Sequence, residues 1–88
     1  MAYVYFLKSL KDNKGYIGST INIGRRVNEH NNGLVKSTKS RRPFVLATYQ
    51  YFDKIQEAAI FEKKYKRSHD FVNRQIKSGR IKKVINGV

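Results

Sequence analysis

The chain contains no cysteine, one proline and one methionine in 88 residues. Without cysteine, neither a disulfide framework nor a thiolate zinc site can form, which fits a reducing cytoplasm. No apolar run approaches the roughly 18 residues of a membrane span, and the N-terminus lacks a signal-peptide core. A soluble, cytoplasmic protein with no membrane partner is therefore expected. Carboxylates are scarce, six in all, which argues against a two-metal site bridged by several of them. There is also no Gly-rich phosphate loop and no Gly-x-Ser-x-Gly elbow. His30 and His69 lie too far apart to be a helical metal-binding pair.

Basic residues, by contrast, are abundant. Nineteen Lys and Arg give a formal net charge of +13. Self-repulsion of this size destabilises the compact state unless a polyanion offsets it. Nucleic acid is the usual partner, because each neutralised phosphate releases counterions and strengthens binding. The length suits one domain, 1–88, burying roughly 60–65% of its extended surface. A monomer is assumed.

Ala2 to Leu7 is an aromatic and β-branched run suited to a buried strand. Asp12-Asn13-Lys14-Gly15 is a turn cluster, and Gly15 to Ser19 reads as the returning strand of a hairpin. Tyr5 and Tyr16 share a face only in one parity of register, which the sequence leaves open. A first helix is expected from Ile23, capped by Asn22 and stopped near Asn32-Gly33. Ile23 and Val27 mark its apolar face. Arg26 and His30, an i, i+4 pair, fall at the edge of that face, while Arg25 and Glu29 point away. Leu34 to Arg42 reads as an exposed basic loop closed by Pro43. Phe44 to Phe52 is the third strand, with Val45, Leu46, Tyr49 and Tyr51 as core candidates.

Asp53 and Gln56 resemble a capping box opening a helix from about Lys54 to Arg67. Its apolar arc holds Ile55, Ala58, Ala59 and Tyr65, and it also contains Glu62. A carboxylate on the buried side costs several kcal/mol unless paired or bound to a cation, and Arg26 is one candidate partner. Phe71, Val72 and Ile76 are spaced for a further C-terminal helix stopped by Ser78-Gly79. Ile81 to Ile85 reads either as a short terminal element or as a basic tail.

Singly, these residues have ordinary readings. Tyrosine in a strand is usually packing, and a helix histidine at an apolar edge is usually hydrogen-bonded structure. Lys36, Lys39, Arg41 and Arg42 could grip phosphates or form a solvated surface. Glu62 is the residue least easily explained by packing. A metal here would be one ion held by one Glu, waters and substrate phosphate, an arrangement suited to Mg²⁺.

Together, Tyr3-Val4-Tyr5, Tyr16-Ile17-Gly18, Arg26, His30 and Glu62 resemble the GIY-YIG nuclease family over roughly residues 2–67. The resemblance is to small stand-alone members similar to the nuclease domain of the excision-repair incision subunit. Ser19-Thr20, Ser37-Thr38-Lys39, Arg42-Pro43 and Glu57-Ala58 also look typical of them. Residues 68–88 then form a basic C-terminal segment. The resemblance implies an α/β domain of α+β type: a small three-stranded antiparallel sheet flanked by helices, in the order β-β-α-β-α. It also implies a metal-dependent endonuclease hydrolysing DNA phosphodiester bonds with one divalent ion, Mg²⁺ or Mn²⁺.

Carried over by position, Tyr5 and Tyr16 are the motif tyrosines. Arg26 clamps the scissile phosphate, His30 hydrogen-bonds a tyrosine phenol, and Glu62 binds the metal. An ionised tyrosine, favoured by nearby positive charge, would activate the attacking water. Ser19, Lys36, Lys39, Arg41 and Arg42 are the DNA-binding candidates. Three departures from the family pattern stand out: Tyr3 stands where the first motif begins with Gly, Ser19 where some relatives carry lysine, and the asparagine that other family nucleases add beyond the metal-binding glutamate has no aligned counterpart at Asn73. The alternative is a non-catalytic DNA- or RNA-binding module that keeps the nuclease fold.

Overall fold

The computed structural model describes residues 1–83. Strands β1 (Ala2–Ser9) and β2 (Gly15–Thr20) form the expected hairpin. The turn between them is built from side chains. Ser9 Oγ accepts from the backbone of Lys11 and Asp12 at 3.1 Å each, and Asp12 accepts from Lys14 N at 3.0 Å. Asn13 takes the left-handed conformation, with φ 61°, a region that Asn tolerates better than most residues.

Helix α1 (Ile23–Asn31) follows, with Asn22 accepting from Arg25 N as its N-cap and Gly33 at φ 76° beyond its end. The basic segment then holds a 3-10 turn, Lys39–Arg41. Strand β3 (Phe44–Phe52) pairs antiparallel with the other side of β1. Helices α2 (Ile55–Arg67) and α3 (His69–Lys77) meet at Ser68, which caps α3 by accepting from Phe71 N. The result is a three-stranded antiparallel sheet, β2-β1-β3. The two-residue β4 (Lys82–Lys83) adds to the far edge of β3. Val84 and Ile85, the rest of the expected terminal element, lie outside the described residues.

Alternation along β1 divides the core in two. Ala2, Val4 and Phe6 face α2 and α3, packing with Phe52, Ala58, Phe61, Tyr65 and Ile81. Tyr5 and Leu7 face α1, with Phe44, Tyr16, Ile23, Val27 and Leu46. On the α2 side a polar chain is also buried: Tyr65 donates to Gln50 and accepts from Gln75 at 3.3 Å.

Three local expectations are corrected. The β1–β3 register slips between Phe6 and Leu7, leaving Ala47 as an extra residue in β3. Such a bulge reverses the inside–outside alternation. The buried positions of β3 are consequently Phe44, Ala47, Thr48, Gln50 and Phe52, while Tyr51 is 51% exposed. The Asp53 capping box does not form. Lys54 is the N-cap and makes no side-chain cap bond, while the Asp53 carbonyl takes the N-terminal ammonium at 2.7 Å. Ile55, expected on the apolar arc, is also exposed.

Candidate functional site

The hairpin register resolves the parity in favour of a shared face. Tyr5 pairs with Gly18 and Leu7 with Tyr16, so the two tyrosines are diagonal neighbours, with ring centroids 6.3 Å apart. The Tyr5 ring leans over Gly18, where an added Cβ would fall 2.6 Å from Tyr5 Cζ. Only glycine leaves room for that phenol. The lost strand propensity of Gly18 is thus offset by the position it gives Tyr5.

Helix α1 lies over this face and lowers two side chains onto the Tyr5 hydroxyl. His30, fully buried, places Nε2 at 3.0 Å, and Arg26 donates from Nε at 3.4 Å. Tyr16 closes the group with its ring 4.9 Å from that of His30. Among the described residues, no hydrogen bond is made by the Tyr16 hydroxyl. Arg26 also donates from Nη1 to Glu29 at 2.9 Å, so Glu29 turns toward the site rather than away from it.

Thr38 completes the network from the basic segment, where it was not expected as a site residue. It is fully buried, and its hydroxyl lies 2.7 Å from His30 Nδ1 and 3.4 Å from the Val35 carbonyl. That carbonyl can only accept, and assigning it the Thr38 proton gives every donor of the network a partner. His30 Nδ1–H then donates to Thr38, leaving Nε2 to accept from the Tyr5 hydroxyl. Every proton in the chain Tyr5–His30–Thr38–Val35 has an acceptor. Burial and the nearby Arg26 charge push His30 below its ordinary range, against the pull of Glu29, which keeps the imidazole neutral. Burial likewise pushes the Tyr5 phenol up. The Arg26 hydrogen bond opposes this, and the charges of Tyr16 and Glu62 reinforce it. Among the protein's own groups, desolvation thus outweighs Arg26 at Tyr5.

Glu62 approaches from the α2 side of the sheet, where Ser19 pairs with Val4, and its charge still acts on the Tyr5 phenol. Ser19 donates to its Oε1 at 2.6 Å, and Lys66, one helical turn on, donates to Oε2 at 2.8 Å. Its partner is thus not Arg26. The side chain is 21% exposed, since β2 has no outer neighbour to enclose it. Among the described residues no group of three or more His, Cys, Asp or Glu could hold a metal. One carboxylate beside solvent fits a single, mostly hydrated ion. The Lys66 pair, with its ammonium half-exposed, is cheap to exchange for one.

The remaining basic candidates separate into two kinds. Lys36, Lys39 and Arg42 are exposed, and Arg42 donates to the Lys39 carbonyl at 2.8 Å. Arg41 braces the β1–β2 turn, donating to Asp12 at 2.8 Å and to the Gly15 carbonyl at 3.1 Å. Its hydrogen bond holds the Asp12 carboxyl well below the usual carboxylate range.

Fold and side chains together define a hairpin-centred α+β domain carrying a tyrosine–histidine–arginine cluster with a carboxylate at its rim. The GIY-YIG catalytic domain family model matches residues 1–75, and the chain belongs to that family. Among similar proteins, UPF0213 protein CPE1444 of Clostridium perfringens is 42% identical over 59 residues, covering 66% of this chain and 62% of that protein. A UPF0213 protein of Pediococcus pentosaceus is 41% identical over 66 residues, 74% of this chain and 68% of that one. The solution NMR structure of UPF0213 protein BH0048 from Bacillus halodurans is 34% identical, with a TM-score of 0.49, covering 89% of this chain and 84% of that one. No helix among the described residues is long and apolar enough to cross a membrane.

Proposed function

We propose that this domain is a metal-dependent endonuclease that hydrolyses DNA phosphodiester bonds at the cluster around Tyr5. The observation that carries the reading is the convergence of Tyr5, Tyr16, Arg26 and His30 on one sheet face, with Glu62 close enough for its charge to raise the Tyr5 pKa. Two of the five N–H donors of Arg26 are engaged by Tyr5 and Glu29. The others are free among the described residues to bind a phosphate oxygen and the charge that grows on it.

Tyr5, its proton directed at His30, serves as the fixed post against which Arg26 is aimed. Tyr16, whose hydroxyl makes no hydrogen bond among the described residues, is the group that takes the proton of the attacking water. It does so as the phenolate, with its own proton already released to solvent, and becomes the neutral phenol. Glu62 would hold the divalent ion, Mg²⁺ or Mn²⁺, which when bound supplies charge stabilisation at the phosphate and the leaving oxygen. Lys36, Lys39 and Arg42 grip the backbone without reading sequence. Ser19, whose proton is committed to Glu62, is better suited to orienting that carboxylate than to binding DNA. Arg41 is committed to the turn.

The engagement of both Glu62 oxygens by Ser19 and Lys66 favours a second reading, a basic nucleic-acid-binding module without catalysis. The two separate in a nicking assay on plasmid and branched DNA with Mg²⁺ or Mn²⁺, comparing the wild type with Tyr16→Phe. Cutting by the wild type and its loss in the variant supports the nuclease. If both bind DNA equally and neither cuts any structure tested, the binding module stands.

A further inference from the structure

The face that carries Tyr5 continues beyond the cover of α1 into an aromatic surface. Tyr3 is directly paired with Tyr51, and Tyr5 with Tyr49, so all four rings point to the same side. Tyr3 meets the other two edge-on, with centroids 5.7 Å from Tyr51 and 6.2 Å from Tyr49. Neither core cluster includes Tyr3, Tyr49 or Tyr51. Tyr51 is 51% exposed, and the other two are half-buried. Lys82 is the cross-strand partner of Tyr49 and exposed, which puts a cation on the same row. An open aromatic face beside the cluster is not needed for packing, and it leaves apolar area in water on a chain of net charge +13.

We propose that Tyr3, Tyr49 and Tyr51 form a stacking platform for unpaired DNA bases next to the scissile phosphate, with Lys82 on the adjoining backbone. This rests on the nuclease reading and names its substrate class: DNA with a single-stranded or branched segment. The occupant follows from the chemistry. A polycation selects a polyanion, and exposed rings bind bases by their π-faces whatever the sequence. Bases within a duplex are already stacked on one another and cannot present those faces. The platform is continuous with the site, since Tyr49 is the neighbour of Tyr5 across β1–β3 and Tyr3 lies next but one along the strand.

The test measures binding of a labelled short oligo(dT), its duplex with oligo(dA), and oligo(U), without divalent metal. It compares the wild type, Tyr51→Ala, Tyr51→Phe and Lys82→Ala. Tyr51→Ala should weaken oligo(dT) binding by about 5- to 100-fold and leave duplex binding unchanged, whereas Tyr51→Phe should retain the wild-type affinity. Oligo(dT) should also quench tyrosine fluorescence in the wild type, and less so in Tyr51→Ala. Lys82→Ala should weaken the single strand and flatten its salt dependence. Unchanged single-strand affinity in Tyr51→Ala, or equal losses on duplex and single strand, overturns the platform. Tighter, Tyr51-dependent binding of oligo(U) than of oligo(dT) overturns its assignment to DNA. These outcomes are independent of cleavage: a wild type that cuts DNA while Tyr51→Ala binds normally refutes only the platform, and a wild type that never cuts but binds single strands through Tyr51 refutes only the nuclease.

Discussion

Replacing Thr38 by valine keeps shape and burial while removing one hydroxyl from the hydrogen-bond chain behind Tyr5. The Val35 carbonyl loses little, because it also accepts from Thr38 N at 3.1 Å. The group left stranded is His30 Nδ1–H, whose contact with Thr38 is 2.7 Å and fully buried. A buried donor left without an acceptor costs about 1–3 kcal/mol. In a domain of this size each kcal/mol moves Tm by about 4–8 °C, so Thr38→Val should melt about 4–24 °C below the wild type. Thr38→Ser, which keeps the hydroxyl, should recover most of the loss. The imidazole ¹⁵N shifts give an independent readout: protonated Nδ1 and bare Nε2 in the wild type, and loss of that single tautomer in Thr38→Val. The reasoning fails if Thr38→Val melts with the wild type, or if wild-type His30 carries its proton on Nε2.

Gly18→Ala drives a methyl into the Tyr5 ring. Overpacking of this kind should cost about 1–3 kcal/mol by urea denaturation and disturb the Tyr5–His30 hydrogen bond; a variant as stable as the wild type would show that Tyr5 does not need that space. The lowered His30 pKa sets a sign for pH. Between that value and the ordinary 6.5, the unfolded chain holds a proton that the folded one does not, so stability rises with pH there. Tm should therefore fall on acidification below about 6.5, and His30→Gln should flatten that limb; an equally steep limb in the variant would assign it to another group. Lys66→Met removes the competitor at Glu62 Oε2. It should tighten Mn²⁺ binding seen by calorimetry while changing stability by less than about 1 kcal/mol, as for exposed pairs generally; unchanged Mn²⁺ affinity would contradict the carboxylate's role as metal ligand.

Much of this architecture is legible in local chemistry. Asn22 and Gly33 bracket α1, and Asp12 to Gly15 mark the hairpin turn, because caps and turns depend on single side chains. Strand β3 shows how far that extends. Its limits follow from composition, yet its buried positions do not, since one bulged residue at Ala47 inverts the alternation. The Asp53 capping box satisfies a sequence pattern without the geometry, because the helix starts at Ile55 with Lys54 as its cap, one residue beyond Asp53.

The site divides in the same way. Arg26 and His30 announce themselves by helical spacing. The i, i+4 relation of Glu62 and Lys66 is equally readable, although the place of Glu62 on the apolar arc points to a buried partner. Thr38 has no such signal. It is one of several hydroxyl residues in a polar loop, and only the tertiary fold shows that it, unlike Ser37 and Ser40, is buried behind His30.

The central claim is that Glu62 and the two tyrosines belong to one reaction site. Its most direct test measures DNA binding and DNA cutting side by side for the wild type and Glu62→Ala, with Mg²⁺ present and the variant's fold verified by its melting curve. The nuclease proposal predicts a variant that binds DNA as the wild type does and no longer cuts it. A Glu62→Ala protein that cuts at the wild-type rate would separate Glu62 from the chemistry and contradict the claim.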